Sequence, residues 1–469
     1  MATKEGTLSR SARIITTAAV AVGLLTAAPA FAGTMTFRES NIGQVSYGWD
    51  LYEPNVTAVN GAVYATGHSV GAFTTRAPAY VSHDDGLTWE SLAPLTGQNQ
   101  IEGGGHVDGD EGIVSADQNG RAWQFDNGAG TSSLYSYANF GEAETGYNPL
   151  AYNELGLFTS KCQMGGDDRP WQAYGDNHLI LVNNGFVGNS DQNAMQLSVY
   201  DTTTGTQTPW NMCAGAGYIP GVPALGDNNG TFAVPQLQDA KAFKAFSRKT
   251  KSRQQRQQAS GGGAKQVLAV VRGNASKGVD DKDLTTTPVF PVGQTNPGGS
   301  DPNEFPCADQ GGGSNWGFTA YSKAGSLFAT AANSPSHIEI AADSGHGFKT
   351  TGLDAHGQLW FLWIAGSETG EGALVTWVSS PKCDNTSADG DPGANFYAAH
   401  VLLNGNGAPR VTDVSLVAAN IDSPCGDYHG SSAGPDGRAY VAVAGPGCLR
   451  TPGDTPLRVY IQNGGPTLP

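Results

Sequence analysis

Apolar and polar positions in this chain alternate over short stretches, and tight polar turns reset the pattern. The recurring unit is a turn rich in Asn, Asp and Gly followed by an apolar or aromatic run. It occurs as "VNGAVYATG" around Asn60, "SADQNGRAWQF" around Asn119 and "YGDNHLILV" around Asp176. It returns as "LGDNNGTFAV" around Asn229, "LDAHGQLWFLWI" around His356 and "GPDGRAYVAVA" around Asp436. Asn, Asp and Gly supply the positive-φ positions a hairpin turn needs, and Val, Ala, Tyr and Trp in the flanks suit strands. Successive turns lie 59, 57, 53, 127 and 80 residues apart, so the fourth interval holds extra chain. The pattern predicts an all-β protein of repeated hairpins.

A second element lies C-terminal to the first turn. In "SHDDGLTWE" (82–90), Ser82, Asp84, Gly86, Thr88 and Trp89 are spaced as S-x-D-x-G-x-T-W. A weaker copy, "AADSGHGF" (341–348), keeps Asp343, Gly345 and Phe348 but has Ala341 for the serine. In both, an apolar strand ("AYVS", "IEIA") leads into the turn. The chemistry is local: Asp accepts backbone N–H groups, Gly takes the turn, and the ring tucks against its own hairpin.

That motif resembles the Asp box of sialidases and related bacterial neuraminidase repeat proteins. "DDRPW" (167–171) and "CGDYHG" (425–430) are similar to segments of secreted bacterial sialidase-like propellers. The resemblance spans most of residues 45–445. It implies a β-propeller of four-stranded blades with the Asp box on an outer hairpin, away from the ligand face. Ser82, Asp84, Gly86, Thr88 and Trp89 are therefore expected to be structural. Six turns imply six blades, and "GSLFATAA" (325–332) leaves room for a seventh in the long interval.

Residues 33–469 are expected to form one domain, with an irregular insertion at about 237–310. Within it, "KAFKAFSRKTKSRQQR" (241–256) carries seven basic groups and no acid. That segment reads as a solvated loop, or as a handle for anionic cell-wall polymer. Residues 280–306 read as irregular loop.

Composition adds an address. Lys4, Arg10 and Arg13 precede the apolar run "IITTAAVAVGLLTAAPAFA", which ends in Ala30-Phe31-Ala32. This is the pattern of a secretory signal peptide over residues 1–32, and a released, extracellular protein without a membrane anchor is expected. The formal net charge of −16 becomes −18 once those residues are removed. Such a charge repels nucleic acid and anionic glycans at long range. The expected partner is an extracellular glycan or cell-surface polymer met by a monomer. Six cysteines in the mature part fit an oxidising compartment and give no C-x-x-C metal signature.

In a propeller, residues just before each innermost strand converge on the axis at one mouth. Stepping back from each polar turn selects Glu53, Asp110, Glu111, Asp168, Arg169, the Pro220 loop, Asp427, Tyr428 and His429. Neighbouring loops add Arg76 and Arg410. The resemblance to sialidases implies an arginine cluster for a substrate carboxylate, filled here by Arg76, Arg169 and Arg410. It also implies a tyrosine nucleophile (Tyr428), a glutamate base (Glu111) and an aspartate acid (Asp110). The early F/Y-R-I-P motif of sialidases is reduced here to "FRES" (37–40), which favours binding over hydrolysis. The alternative for these charged residues is mutual pairing around the channel, and for His429 a satisfied hydrogen bond instead of a ligand contact. No cofactor is expected, although Asp108, Asp110 and Glu111 form a candidate calcium ligand set. On this topology Cys425 pairs with Cys448 and Cys162 with Cys213, which leaves Cys307 with Cys383 by elimination.

Overall fold

The computed structural model describes residues 33–42, 51–69, 79–91, 111–117, 121–128, 131–137, 151–153, 164–187, 193–211, 214, 218–226, 229–238, 266–292, 317–334, 336–381, 394–421, 429–444 and 457–469. The chain divides into Met1–Ala32 and Gly33–Pro469, and every described residue belongs to the second unit.

The first strand is β1 (Thr36–Asn41). Blade one follows with β2 (Leu51–Val59), β3 (Ala62–Ser69), β4 (Ala79–Ser82) and β5 (Glu90–Ser91). Blade two is β6 (Glu111–Ala116), β7 (Ala122–Gly128), β8 (Thr131–Tyr137) and β9 (Ala151–Asn153). Blade three is β10 (Met164–Gly175), β11 (His178–Val187), β12 (Asn193–Asp201) and β13 (Thr206–Gln207). Blade four has a split inner edge, β14 (Tyr218–Pro220) and β15 (Ala224–Leu225). Its remaining strands are β16 (Thr231–Gln238), β17 (Gln266–Asn274) and β18 (Thr285–Val292).

Blade five is β19 (Phe318–Tyr321), β20 (Leu327–Ser334), β21 (His337–Asp343) and β22 (Lys349–Asp354). Blade six is β23 (Gln358–Gly366), β24 (Ala373–Ser380), β25 (Ala394–Leu403) and β26 (Pro409–Ile421). The closing blade is β27 (Gly430–Ala433), β28 (Ala439–Ala444) and β29 (Leu457–Gly464), with β1 as its outermost strand. Within each blade consecutive strands pair antiparallel, and β1 pairs with β29 from Phe37↔Gln462 to Asn41↔Arg458. The two ends of Gly33–Pro469 thus meet in one sheet. The chain is a β-propeller.

The described residues form seven sheets, so the seventh blade that "GSLFATAA" left room for is present, with β20 as its second strand. Around Asn60, Asp176, Asn229 and Asp436 the turns join an innermost strand to the second strand, as the pattern predicts; Asn119, between β6 and β7, lies outside the described residues. The turn around His356 does not. It joins the outermost strand of blade five to the innermost strand of blade six, with His356 itself at φ 60°. Two less conspicuous turns, "SKAGS" (322–326) and "SETGEG" (367–372), serve blades five and six. One polar turn at a blade boundary had therefore stood for two blades. The stretch 237–310 is also more regular than expected, because β17 and β18 make half of blade four. Their apolar residues Val267–Val271 and Val289–Val292 are what the polar flanks obscure. The basic segment 241–256 lies outside the described residues.

A blade is covered on both faces, so its inner strands read as continuous apolar runs instead of alternating. All eight residues of β24 are buried, for example. Trp171, Phe318 and Trp363 knit blades three, five and six, with ring centroids 6.0 and 5.3 Å apart for Trp171–Trp363 and Phe318–Trp363. The break between β14 and β15 has a packing cause. A Cβ on Gly221 would stand 1.7 Å from the Gly317 carbonyl oxygen, so only glycine lets blades four and five approach. The described residues contain no α-helix, only 3-10 turns at Ala275–Lys277 and Asp281–Asp283.

Candidate functional site

Because each blade runs antiparallel from inside to outside, the innermost strands all start at one mouth, called here the leading mouth. The innermost strand β2 packs beside β6 and β27, and β6 packs beside β10. Glu53 lies in β2, inside a register shift between Tyr52 and Asn55. Glu111 is the first residue of β6, opposite Asn127. Asp168 pairs with Asn184 in β10, and Arg169 falls in the following register shift before Trp171. Three adjacent innermost strands therefore bring Glu53, Glu111, Asp168 and Arg169 to the same end of the axis. Bulges re-aim side chains and stop regular pairing, and they concentrate at the rims of barrels and next to active sites.

Arg76, Asp108, Asp110, Asp427 and Tyr428 lie outside the described residues, as do Cys162, Cys213, Cys307, Cys383, Cys425 and Cys448. Among the described residues no group of three His, Cys, Asp or Glu could hold a metal ion.

Arg410 is a correction. It is exposed on β26, the outermost strand of blade six, opposite Leu402. The sequence "LNGNGAP" before it forms the β25–β26 hairpin turn, closed by the Gly407 N–H bond to Asn404. That turn lies at the far face, so Arg410 cannot join Arg169 around a substrate carboxylate.

His429 follows the alternative reading of a satisfied hydrogen-bonding histidine. It precedes β27 at the leading mouth but is only 1% exposed, between blade six and the closing blade. Its Nε2 lies 2.7 Å from Thr376 Oγ1, which in turn donates to Ser431 Oγ at 3.0 Å. A hydroxyl has one proton. Since Thr376 gives that proton to Ser431, its oxygen accepts the His429 Nε2 N–H. Burial pushes the His429 pKa down to about 3. The edge-on ring of Phe396, 4.8 Å away, completes an apolar cage. His429 is a buried packing residue.

The turn at 82–89 is held by its own side chains. Asp84 Oδ1 accepts from the Thr88 N–H and the Ser82 hydroxyl, both at 2.8 Å, and Oδ2 accepts the Thr88 hydroxyl at 2.6 Å. The Gly86 N–H donates to Ser82 Oγ at 2.7 Å, and Gly86 takes φ 77°. The Thr88 bonds hold the Asp84 carboxyl down at about 2. Trp89 sits at the rim, as expected, and packs on a cluster that holds Tyr80 of its own hairpin as well as residues of the closing blade. Its Nε1 donates to Ser40 Oγ of β1 at 2.8 Å, and the ring packs on the cluster containing Val459 and Ile461 of the closing blade.

The next residue, Asp85, completes this clasp. It accepts both terminal nitrogens of Arg438, at 2.9 and 3.0 Å, and Arg38 at 3.2 Å. Burial pushes the Asp85 carboxyl upward, but the bonds to Arg438 and the two positive charges outweigh it and leave the pKa lowered. A sequence reading centred on Asp84 missed Asp85. Its only signal was a second Asp in "HDDG" (83–86).

No protein-family model matches the chain. No curated protein matches it. Among solved structures it is similar to a phage phi92 endosialidase, at 10% identity over 93% of this chain and 70% of that one, with a TM-score of 0.45. A NanB sialidase from Streptococcus pneumoniae matches at 9% identity over 90% and 70%, TM-score 0.43. The GH93 alpha-L-arabinofuranosidase of Fusarium graminearum, in complex with arabinobiose, matches at 10% identity over 92% and 97%, TM-score 0.41. Those activities belong to the matched proteins.

Proposed function

We propose that this chain is a secreted, sialidase-like propeller that binds or processes extracellular glycan at its leading mouth. One observation carries the reading: Glu53, Glu111, Asp168 and Arg169 fall in the starting halves of three adjacent innermost strands. Carboxylates accept hydrogen bonds from sugar hydroxyls, and a guanidinium grips a carboxylate or a hydroxyl pair. The neighbours' names, among them sialidases and an arabinofuranosidase, agree with a glycan ligand. Residues 1–32 supply the secretory address.

Binding is preferred to exo-sialidase hydrolysis because Arg410 stands on the outermost strand, which removes one of the three arginines a carboxylate clamp would use. The hydrolase alternative keeps Tyr428 as nucleophile, Glu111 as its base and Asp110 as acid. Fluorophore release from an aryl sialoside decides between them. The binding reading expects no turnover; turnover that disappears in Tyr428→Phe would replace it with the hydrolase.

A further inference from the structure

The innermost strands also end together, around a cavity of about 650 Å³ at the opposite, trailing mouth. Thr57, Ser115, Tyr174, Lys323, Glu368 and Ser432 line it, one from each of six blades, so it sits on the propeller axis. A second cavity of about 300 Å³ shares Val59, Asn60 and Pro435 with the first and runs outward to His83 and Arg438. Together they make one groove from the axis to the seam between blade one and the closing blade. Small-molecule sites occupy ~300–1,000 Å³, so the axial part alone has the required size. The leading mouth is a separate place: Glu53 and Asn60 are seven residues apart along β2 and its turn, about 23 Å of extended chain.

The lining has a definite chemistry. Thr57, Ser115 and Ser432 present hydroxyls, which both donate and accept. Lys323 and Glu368 bring one formal charge of each sign, so the axial wall is balanced. At the outer end Arg438 is already committed to Asp85 and Asp436. Tyr174 contributes a half-buried ring, braced from behind by Trp123 at 5.0 Å and 12° between planes. A fixed aromatic ring offers a flat apolar surface, and the surrounding hydroxyls offer exchangeable hydrogen bonds.

A charged ligand finds no uncompensated counter-charge there, and a chain of net charge −16 repels an anionic one from a distance. An apolar ligand would strip water from the hydroxyls without replacing their bonds. A sugar meets both demands, with C–H faces for the ring and hydroxyls for the wall. We infer that the trailing mouth is a binding site for a short, neutral oligosaccharide, distinct from the site proposed at the leading mouth.

Titration calorimetry with cellotriose and N,N′-diacetylchitobiose tests this, with 3′-sialyllactose as the anionic probe. Asn60 and Glu368 are exposed turn residues on the groove, so Asn60→Trp and Glu368→Trp each block it without touching the core. At least one neutral sugar is expected to bind, and each blocking variant to weaken that binding by ~tenfold or more. Arg410→Ala, on the outermost strand of blade six, is expected to leave it unchanged. Three results would overturn the assignment: no binding of either neutral sugar, neutral binding that survives both blocking variants, or neutral binding lost in Arg169→Ala instead. The last would move the sugar to the leading mouth and leave the proposed function standing.

Discussion

The turns at 82–89 and 341–348 share a pattern, occupy the same place in blades one and five, and hold their aspartates by different means. Asp84 is satisfied inside its own turn by Ser82 and Thr88. In the second copy Ala341 and Gly347 stand at those two positions, and the side-chain donors are gone. Asp343 Oδ1 still accepts the N–H groups of Gly345 and Gly347, each at 2.9 Å. Its other oxygen takes Arg272 of β17 at 2.7 Å, and that guanidinium also lies over Phe348, 4.9 Å from the ring centroid. A guanidinium from blade four therefore replaces two hydroxyls. The aspartate of the first turn is satisfied locally, whereas that of the second depends on a neighbouring blade.

The sharpest way to break this comparison is Asp343→Ala. Asp343 is 8% exposed and Arg272 28%, so the change strands a partly buried charge as well as two N–H groups. The expected loss is about 3 kcal/mol in urea unfolding, the lower end for a broken buried pair because Arg272 keeps some solvent. A loss under ~0.5 kcal/mol, the range of an ordinary surface change, would mean that the interface does not depend on this aspartate.

The strand feeding the second turn sharpens the contrast. Glu339 of β21 holds the register position that Tyr80 holds in β4, two residues before Ala341 and Ser82. Burial pushes the Glu339 carboxyl up to about 7, against a smaller opposing hydrogen bond from Thr350. In the unfolded chain this carboxyl ionises near 4.5, so the unfolded state loses its proton first as pH rises. Stability should fall between about pH 4.5 and 7 and level off above. Asp343 acts the other way. Burial raises its pKa, but Arg272 and the backbone bonds outweigh this and lower it, so its contribution is lost as pH falls through the lowered value. Glu339→Gln should gain about 2 kcal/mol at pH 8 and nothing at pH 4. Equal unfolding curves for variant and parent at both pH values would sink the claim.

The smallest effect concerns the rim of blade one. Trp89→Phe keeps the ring but removes the Nε1 bond to Ser40, and about 1 kcal/mol should be lost. Phe348 already stands at the matching position in blade five, so Phe348→Trp should give no comparable gain without a serine partner. Urea unfolding of both variants measures the difference.

These turns also show what the sequence made legible. The Asp84 turn was readable because its partners lie within six residues. The hairpin turns with Asn or Asp beside Gly were readable because the positive-φ requirement writes itself into residue type. Seven blades were not readable from the same rule. His356 satisfies a positive φ at a blade boundary, while the hairpins at 322–326 and 367–372 rely on Ser and Gly. Interactions between blades left even less trace. Arg272 precedes Asp343 by 71 residues, and Arg438 follows Asp85 by 353.

At the leading mouth the stepping rule correctly picked innermost strands for Glu53, Glu111, Asp168 and Arg169. It failed for Arg410 because "NGNG" (404–407) is a hairpin turn inside a blade. It also could not foresee that Thr376, 53 residues away, would bury His429.

The glycan recognition proposed at the leading mouth belongs to its innermost strands, and the Asp84 turn is scaffold. Oligosaccharide titration of Arg169→Ala and Asp84→Ala, each followed by urea unfolding, tests it most directly. 3′-Sialyllactose serves as the probe. Arg169→Ala is expected to weaken its binding by ~tenfold or more while keeping the parent's unfolding midpoint. Asp84→Ala should lower the midpoint and leave affinity within about twofold. Full affinity in Arg169→Ala, with binding lost in a still-folded Asp84→Ala, would contradict it.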